Sequence, residues 1–142
     1  MAETVLVPMD DSPGSRRALE FALSTFPDAE VHALHVIDPS TGYLVAENLP
    51  TGDVGNPRER AEERGTAVLS EAEGVAADHG RRIATAIETG KPARRIVEVA
   101  EELDADHVVM GSHGREGVSR VLLGSVAETV VRRSPVPVSV IR

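Results

Sequence analysis

The sequence predicts an α/β fold: a doubly wound, five-stranded parallel sheet with helices on both faces, built as a single domain over residues 1–142. Three observations carry that prediction. Short apolar runs rich in β-branched residues alternate with longer stretches of helical period. Strands joined through helices run parallel and wind in one hand, so an alternating order implies a sheet covered on both sides. The chain has the length of one ordinary domain, with 41% apolar residues and neither an internal repeat nor a dividing linker.

Each element has its own signature. The first strand is "TVLVPMD" (Thr4 to Asp10), an apolar run closed by Pro8. A helix follows, with Asp11 or Ser12 as its cap, Pro13 in its first turn, and Ala18, Leu19, Ala22, Leu23 and Phe26 on one face. "AEVHALHVID" (Ala29 to Asp38) is the second strand. Residues 39–57, with three prolines and three glycines, have no clean period and read as a long loop. From Arg58 to His79 the apolar spacing is helical again, and Gly80 can end that helix. "RRIATAIETG" supplies the third strand, with Ile83 and Ile87. A third helix starts near Pro92 and turns Ile96, Val99, Ala100 and Leu103 to one side. "DHVVMG" is the fourth strand. Val118, Val121, Leu122, Val126 and Val130 mark a fourth helix, and "SPVPVSVIR" the last strand.

Composition narrows the function. Aromatic residues make up 2% of the chain, too few for a base-stacking platform. There is no cysteine, which excludes disulfides, zinc-thiolate sites and thiol catalysis. A formal charge of −8 disfavours nucleic acid and anionic membranes as partners. No apolar run approaches the roughly 20 residues that span a bilayer. "MAETVLVPMD" lacks the pattern of a signal peptide, so the expected location is the cytoplasm. Of 15 basic residues only Lys91 is lysine, a bias expected of a halophilic source or of codon usage alone. The arginine pairs at 16–17, 94–95 and 132–133 read as solvated helix faces.

The chemistry is concentrated at the strand ends. In doubly wound sheets a ligand binds outside the carboxyl ends of the strands, where the strand order reverses. One such end carries Gly111-x2-Gly114-x9-Gly124-Ser125. Glycines there let backbone N–H groups approach an anion and form a nest for phosphate. This arrangement suits an acidic protein, since it needs no basic cluster. The pattern is not a P-loop, and no G-x-G-x-x-G follows the first strand, which disfavours a dinucleotide oxidoreductase.

The chain resembles the universal stress protein family over its whole length. The resemblance rests on "VPMDDS", "LHVID", "VMGSHG" and "LLGSVAETVVRRSPVPVSVI". The G-x2-G-x9-G-[S/T] spacing, met here in full, is that family's ATP-binding pattern. The resemblance implies a Rossmann-like fold of the adenine nucleotide alpha hydrolase type, and ATP, with Mg²⁺ held by phosphate oxygens and water, as the cofactor. It sets Pro8, Met9 and Asp10 beside the adenosine and Val36 at the base. It sets Met110, Gly111, His113 and Gly114 along ribose and phosphates, and Gly124, Ser125 and Val126 at the phosphates. Arg115 stands where a basic residue is frequent and is within reach of a phosphate. A homodimer paired through the C-terminal strand is implied as well.

Alternatives stay open beside these assignments. Asp10 can serve as a helix cap, His35 reads better as a hydrogen-bonded core histidine than as a ligand, and His113 fits a plain loop residue equally well. The function expected is a nucleotide-dependent stress sensor or regulator. The alternatives are a slow ATPase or phosphotransferase, for which no catalytic residue is assigned, and a dimeric interaction module with nucleotide as a structural ligand.

Overall fold

The structure is a computed structural model that describes residues 3–40, 56–113 and 123–142. Its elements run β1 (Thr4–Pro8), α1 (Pro13–Thr25), β2 (Glu30–Ile37), α2 (Pro57–Asp78), β3 (Ala84–Thr89), α3 (Pro92–Glu102), β4 (His107–Gly111), α4 (Ser125–Arg133) and β5 (Val138–Ile141). The five strands are all parallel, in the order β3-β2-β1-β4-β5. The chain winds outward from β1 to β3, then crosses β1 to lay down β4 and β5. The order therefore reverses between β1 and β4.

Alternation along the strands divides the core in two. Val5, Val7, Val31, Ala33 and Val109 face α1 and α2 in one cluster. Leu6, Leu34, Val108 and Met110 face α3 and α4 in the other. The central strands are thus apolar on both faces, as a doubly covered parallel sheet requires.

Local sequence explains most boundaries. Ser12 has extended backbone (φ −83°, ψ 150°) and caps α1, its hydroxyl accepting from the Ser15 N–H at 3.2 Å, with Pro13 in the first turn. The end of α2 is a Schellman turn: Gly80, at φ 68°, donates to the Ala77 carbonyl and Arg81 to that of Ala76. The Arg81 guanidinium then reaches back to the Leu23, Phe26 and Ala29 carbonyls at 2.8, 3.2 and 2.8 Å. It thereby ties the last turn of α1 and the connection into β2 to the end of α2.

Three expectations are corrected. Ile83 precedes β3 and packs on the first core cluster, while β3, at a sheet edge, is largely exposed. Leu123 and Gly124 are not helical, so the helix that holds Val126 and Val130 begins at Ser125. A glycine with extended backbone (φ −69°, ψ 165°) stops that apolar face from running on as one helix. Val118, Val121 and Leu122 lie outside the described residues, as does residues 41–55 of the long loop. Arg95 is not a solvated charge: it joins α3 to β3 by pairing with Glu88, and within α3 it pairs with Glu98 at 2.8 Å. Hydrogen bonds to Glu98 and Glu88 hold its guanidinium well above the ordinary arginine range.

His107 lies at the opposite end of the sheet from the strand carboxyl ends. Its Nε2 is 2.7 Å from Ser139 Oγ, and its ring lies 5.1 Å from that of Phe26. Burial pushes its pKa below the ordinary 6.5, against an opposing pull from Glu3. The unfolded chain therefore binds the proton more readily, and stability present above the unfolded pKa is lost as pH falls through the folded one. Replacing His107 with Gln should flatten the fall in melting temperature between neutral and mildly acid pH. A variant that loses stability on acidification as steeply as the wild type would contradict this.

Candidate functional site

Three segments meet at the reversal of strand order. β1 delivers Pro8, Met9 and Asp10. The Met9 side chain is buried in the first cluster, and its N–H donates to the Leu34 carbonyl at 2.7 Å. Asp10 closes the turn into α1: its Oδ1 accepts from the Ser12 N–H at 2.8 Å. Its own N–H donates to Ser15 Oγ at 3.2 Å, and that oxygen lies 2.8 Å from the Asp10 carbonyl oxygen. Ser12, rather than either aspartate, caps the helix, and Asp10 holds the cap in place.

β4 brings Met110 and Gly111 beside that turn. The Met110 side chain is buried in the second cluster, so toward a ligand it offers main chain only. The reason for glycine at 111 differs from the one its place in the motif suggests. Its φ lies outside the left-handed region, where among the described residues the glycines are Gly80 and Gly90. A Cβ at Gly111 would stand 2.8 Å from the carbonyl carbon of Gly14 and 3.1 Å from the Ser15 nitrogen. The end of β4 thus lies backbone to backbone against the first turn of α1. Gly14 was not singled out from sequence. Its contact with Gly111 comes from a distant strand, and no local pattern announces it.

The third segment is the start of α4. The Gly124 N–H donates to the Ser112 carbonyl at 2.6 Å, and Ser112 in turn donates its N–H to Ile141 at 2.8 Å. Gly124 therefore spends its own donor on holding α4 to β4. It also has no side chain with which to cap the helix. The N–H groups of the first turn, from Ser125 onward, have no partner within a helix. They carry the positive end of the helix dipole. Ser125 is exposed, and Val126 packs against the second core cluster. Glu128, the acid of this turn, is paired with Arg132 at 2.6 Å.

Two further assigned residues lie on β2 and just after β4. Val36 is on β2, its side chain turned toward the second core cluster. His113 Nδ1 lies 3.2 Å from Ser112 Oγ, and its carbonyl oxygen faces Gly14. Gly114 and Arg115 lie outside the described residues. A cavity of about 270 Å³ opens between α1 and α2 beside the β1 exit, lined by Met9, Asp10, Ser12, Arg16, Glu71 and Val75 among others. It lies on the α1 and α2 side of the sheet, and an Arg16–Glu71 ion pair bridges the two helices there. Among the described residues, no group of three or more His, Asp or Glu side chains is arranged to hold a metal ion.

The fold defines a doubly wound α/β protein whose strand order reverses between β1 and β4, where the β4 end lies against the first turn of α1. The chain belongs to the universal stress protein family, whose model matches residues 1–142. It is 38% identical to universal stress protein MJ0531 of Methanocaldococcus jannaschii, over 97% of this chain and 81% of that one. Among solved structures it resembles MJ0577 of the same organism, with a TM-score of 0.77, 31% identity, and 99% of this chain and 96% of that chain covered. It also resembles a universal stress protein in complex with cAMP, with a TM-score of 0.70, 28% identity, and 99% and 97% coverage.

Proposed function

We propose that this protein binds an adenine nucleotide, ATP with Mg²⁺, and acts as a nucleotide-dependent sensor or regulator in the stress response. The observation that carries the reading is the start of α4, which has no side-chain cap and is held by Gly124 against the β4 end, where the strand order reverses. A helix start of this kind favours phosphate. The described donors are those of Ser125 and Val126, with the Ser125 hydroxyl beside them. Asp10, on its clamped turn, and Val36, on β2, would serve the adenosine. The phosphates would run past Met110, Gly111 and His113, with Gly114 and Arg115 added from the motif. Mg²⁺ needs few protein ligands and keeps its waters, which fits a site without a carboxylate cluster among the described residues. The complex of a similar family member with cAMP supports an adenine nucleotide as the ligand class.

We read the protein as a single cytoplasmic domain that pairs with its own copy along β5, and its acidity as salt adaptation. Among the described residues no helix is long and apolar enough to cross a membrane. The experiment is mass spectrometry of ligand released from gently purified protein, followed by a turnover assay. Retained ATP that is not hydrolysed supports the regulatory reading. Multiple turnovers abolished by a single substitution would replace it with the enzymatic one.

A further inference from the structure

We infer that His35 is a positioning residue of the nucleotide site, fixing the β1 exit from the α2 side of the sheet. The inference rests on the nucleotide reading above and concerns how the base end of the site is held. The β1–β2 pairing ends at Pro8 and Leu34, with one last main-chain bond from the Met9 N–H to the Leu34 carbonyl. The next rung of a parallel ladder would bring the Val36 N–H to the Met9 carbonyl. That carbonyl is instead 2.9 Å from His35 Nδ1. A carbonyl only accepts, so Nδ1 carries the proton and donates it.

The ring is held from behind by α2. A Cβ at Gly65 would stand 2.7 Å from His35 Cδ2, and 3.3 Å from Ile87 Cδ1. No larger residue fits there without moving the imidazole. The ring therefore has little room to turn away from Met9, and both main-chain groups of Met9 are held by successive residues of β2. Two consequences follow for the ligand. Asp10, the next residue, starts from a fixed peptide. The Val36 main chain is not drawn into a rung with Met9 and faces the β1 side at the carboxyl end of the sheet. Since side chains alternate along a strand, His35 works from one face while the Val36 side chain lies on the other.

The test titrates wild type, His35→Asn, His35→Leu and Gly65→Ala with ATP and with GTP in Mg²⁺, and records each melting curve. Asparagine places an amide donor near the Nδ1 position, whereas leucine keeps the bulk and loses the donor. His35→Asn should stay within about threefold of wild-type ATP affinity. His35→Leu, though folded, should weaken by about tenfold and lose preference for ATP over GTP, in keeping with the loss of one positioning hydrogen bond. Gly65→Ala, which displaces the ring without removing it, should weaken ATP binding in the same direction. It keeps the test decisive if the leucine variant does not fold. A folded His35→Leu, or failing that Gly65→Ala, with wild-type affinity and selectivity would overturn the role of His35 and leave the nucleotide reading standing. A wild type that binds neither nucleotide would overturn both. A merely structural histidine would shift the melting curves alone. Long-range proton–nitrogen spectra should show the proton on Nδ1, and a ring protonated at Nε2 alone would also overturn the inference.

Discussion

The Gly111→Val protein is expected to melt far below the wild type, or to lose its cooperative transition, and to bind no nucleotide. Even the first carbon of the new side chain would stand 2.8 Å from the carbonyl carbon of Gly14 and 3.1 Å from its oxygen. Those are backbone atoms in the first turn of a helix, and they cannot rotate away. The helix would have to lift from β4, against a packed core that includes Ala18, Leu19 and Val109. Overpacking of this kind costs about 1–3 kcal/mol where side chains can give way, and more where backbone must move. That is a large share of the roughly 5–15 kcal/mol that holds a domain folded. The partner glycine provides the control. A Cβ at Gly14 would meet the His113 carbonyl oxygen at 3.4 Å, an ordinary contact. Gly14→Ala should therefore stay within about 1 kcal/mol of wild type, because an alanine inside a helix also gains propensity. Equal melting temperatures for Gly111→Val and the wild type would mean that α1 and β4 do not touch here.

The second large effect concerns β5, at an edge of the sheet. Pro137 and Ile141 turn their carbonyls to β4, accepting from Val108 at 2.9 Å and Ser112 at 2.8 Å. Alternation then turns the main-chain groups of Val138 and Val140 outward, where they are free to pair with a second copy. Pro137 costs this edge nothing, since its nitrogen lies on the inner side. Under the proposed two-fold pairing, Val138→Pro removes an outward donor and leaves the β4 rungs intact. Light scattering should show a folded monomer in place of a dimer at micromolar concentration. Ser139→Pro, on the inner side, should instead damage the fold. A monomeric wild type, or a Val138→Pro protein as dimeric as the wild type, would contradict the pairing.

The strands, the helix faces and the caps at Ser12 and Gly80 were legible because their causes are local. Apolar period, a Pro in a first turn and a glycine after a helix all act within a few residues. The site was legible as a motif but not as an arrangement. Nothing near Gly111 reveals that its neighbour is Gly14, and nothing near Gly65 reveals His35 across the layer. Gly124 was read as a phosphate donor, yet its N–H is taken by Ser112, a partner brought to it only by the folded sheet. His35 was read as a hydrogen-bonded histidine, and the bond to Met9 bears that out. The reach of that bond to the β1 exit depends on a strand register that composition does not encode.

The most direct measurement is calorimetric titration of the wild-type protein with ATP in Mg²⁺, with Gly124→Val run alongside. The account predicts saturable binding at one nucleotide per chain. The Gly124→Val protein should fold but bind at least tenfold more weakly, because a side chain would stand before the first-turn N–H groups of α4. No saturable binding by the wild type at millimolar ATP, or equal affinity in the two proteins, would contradict it.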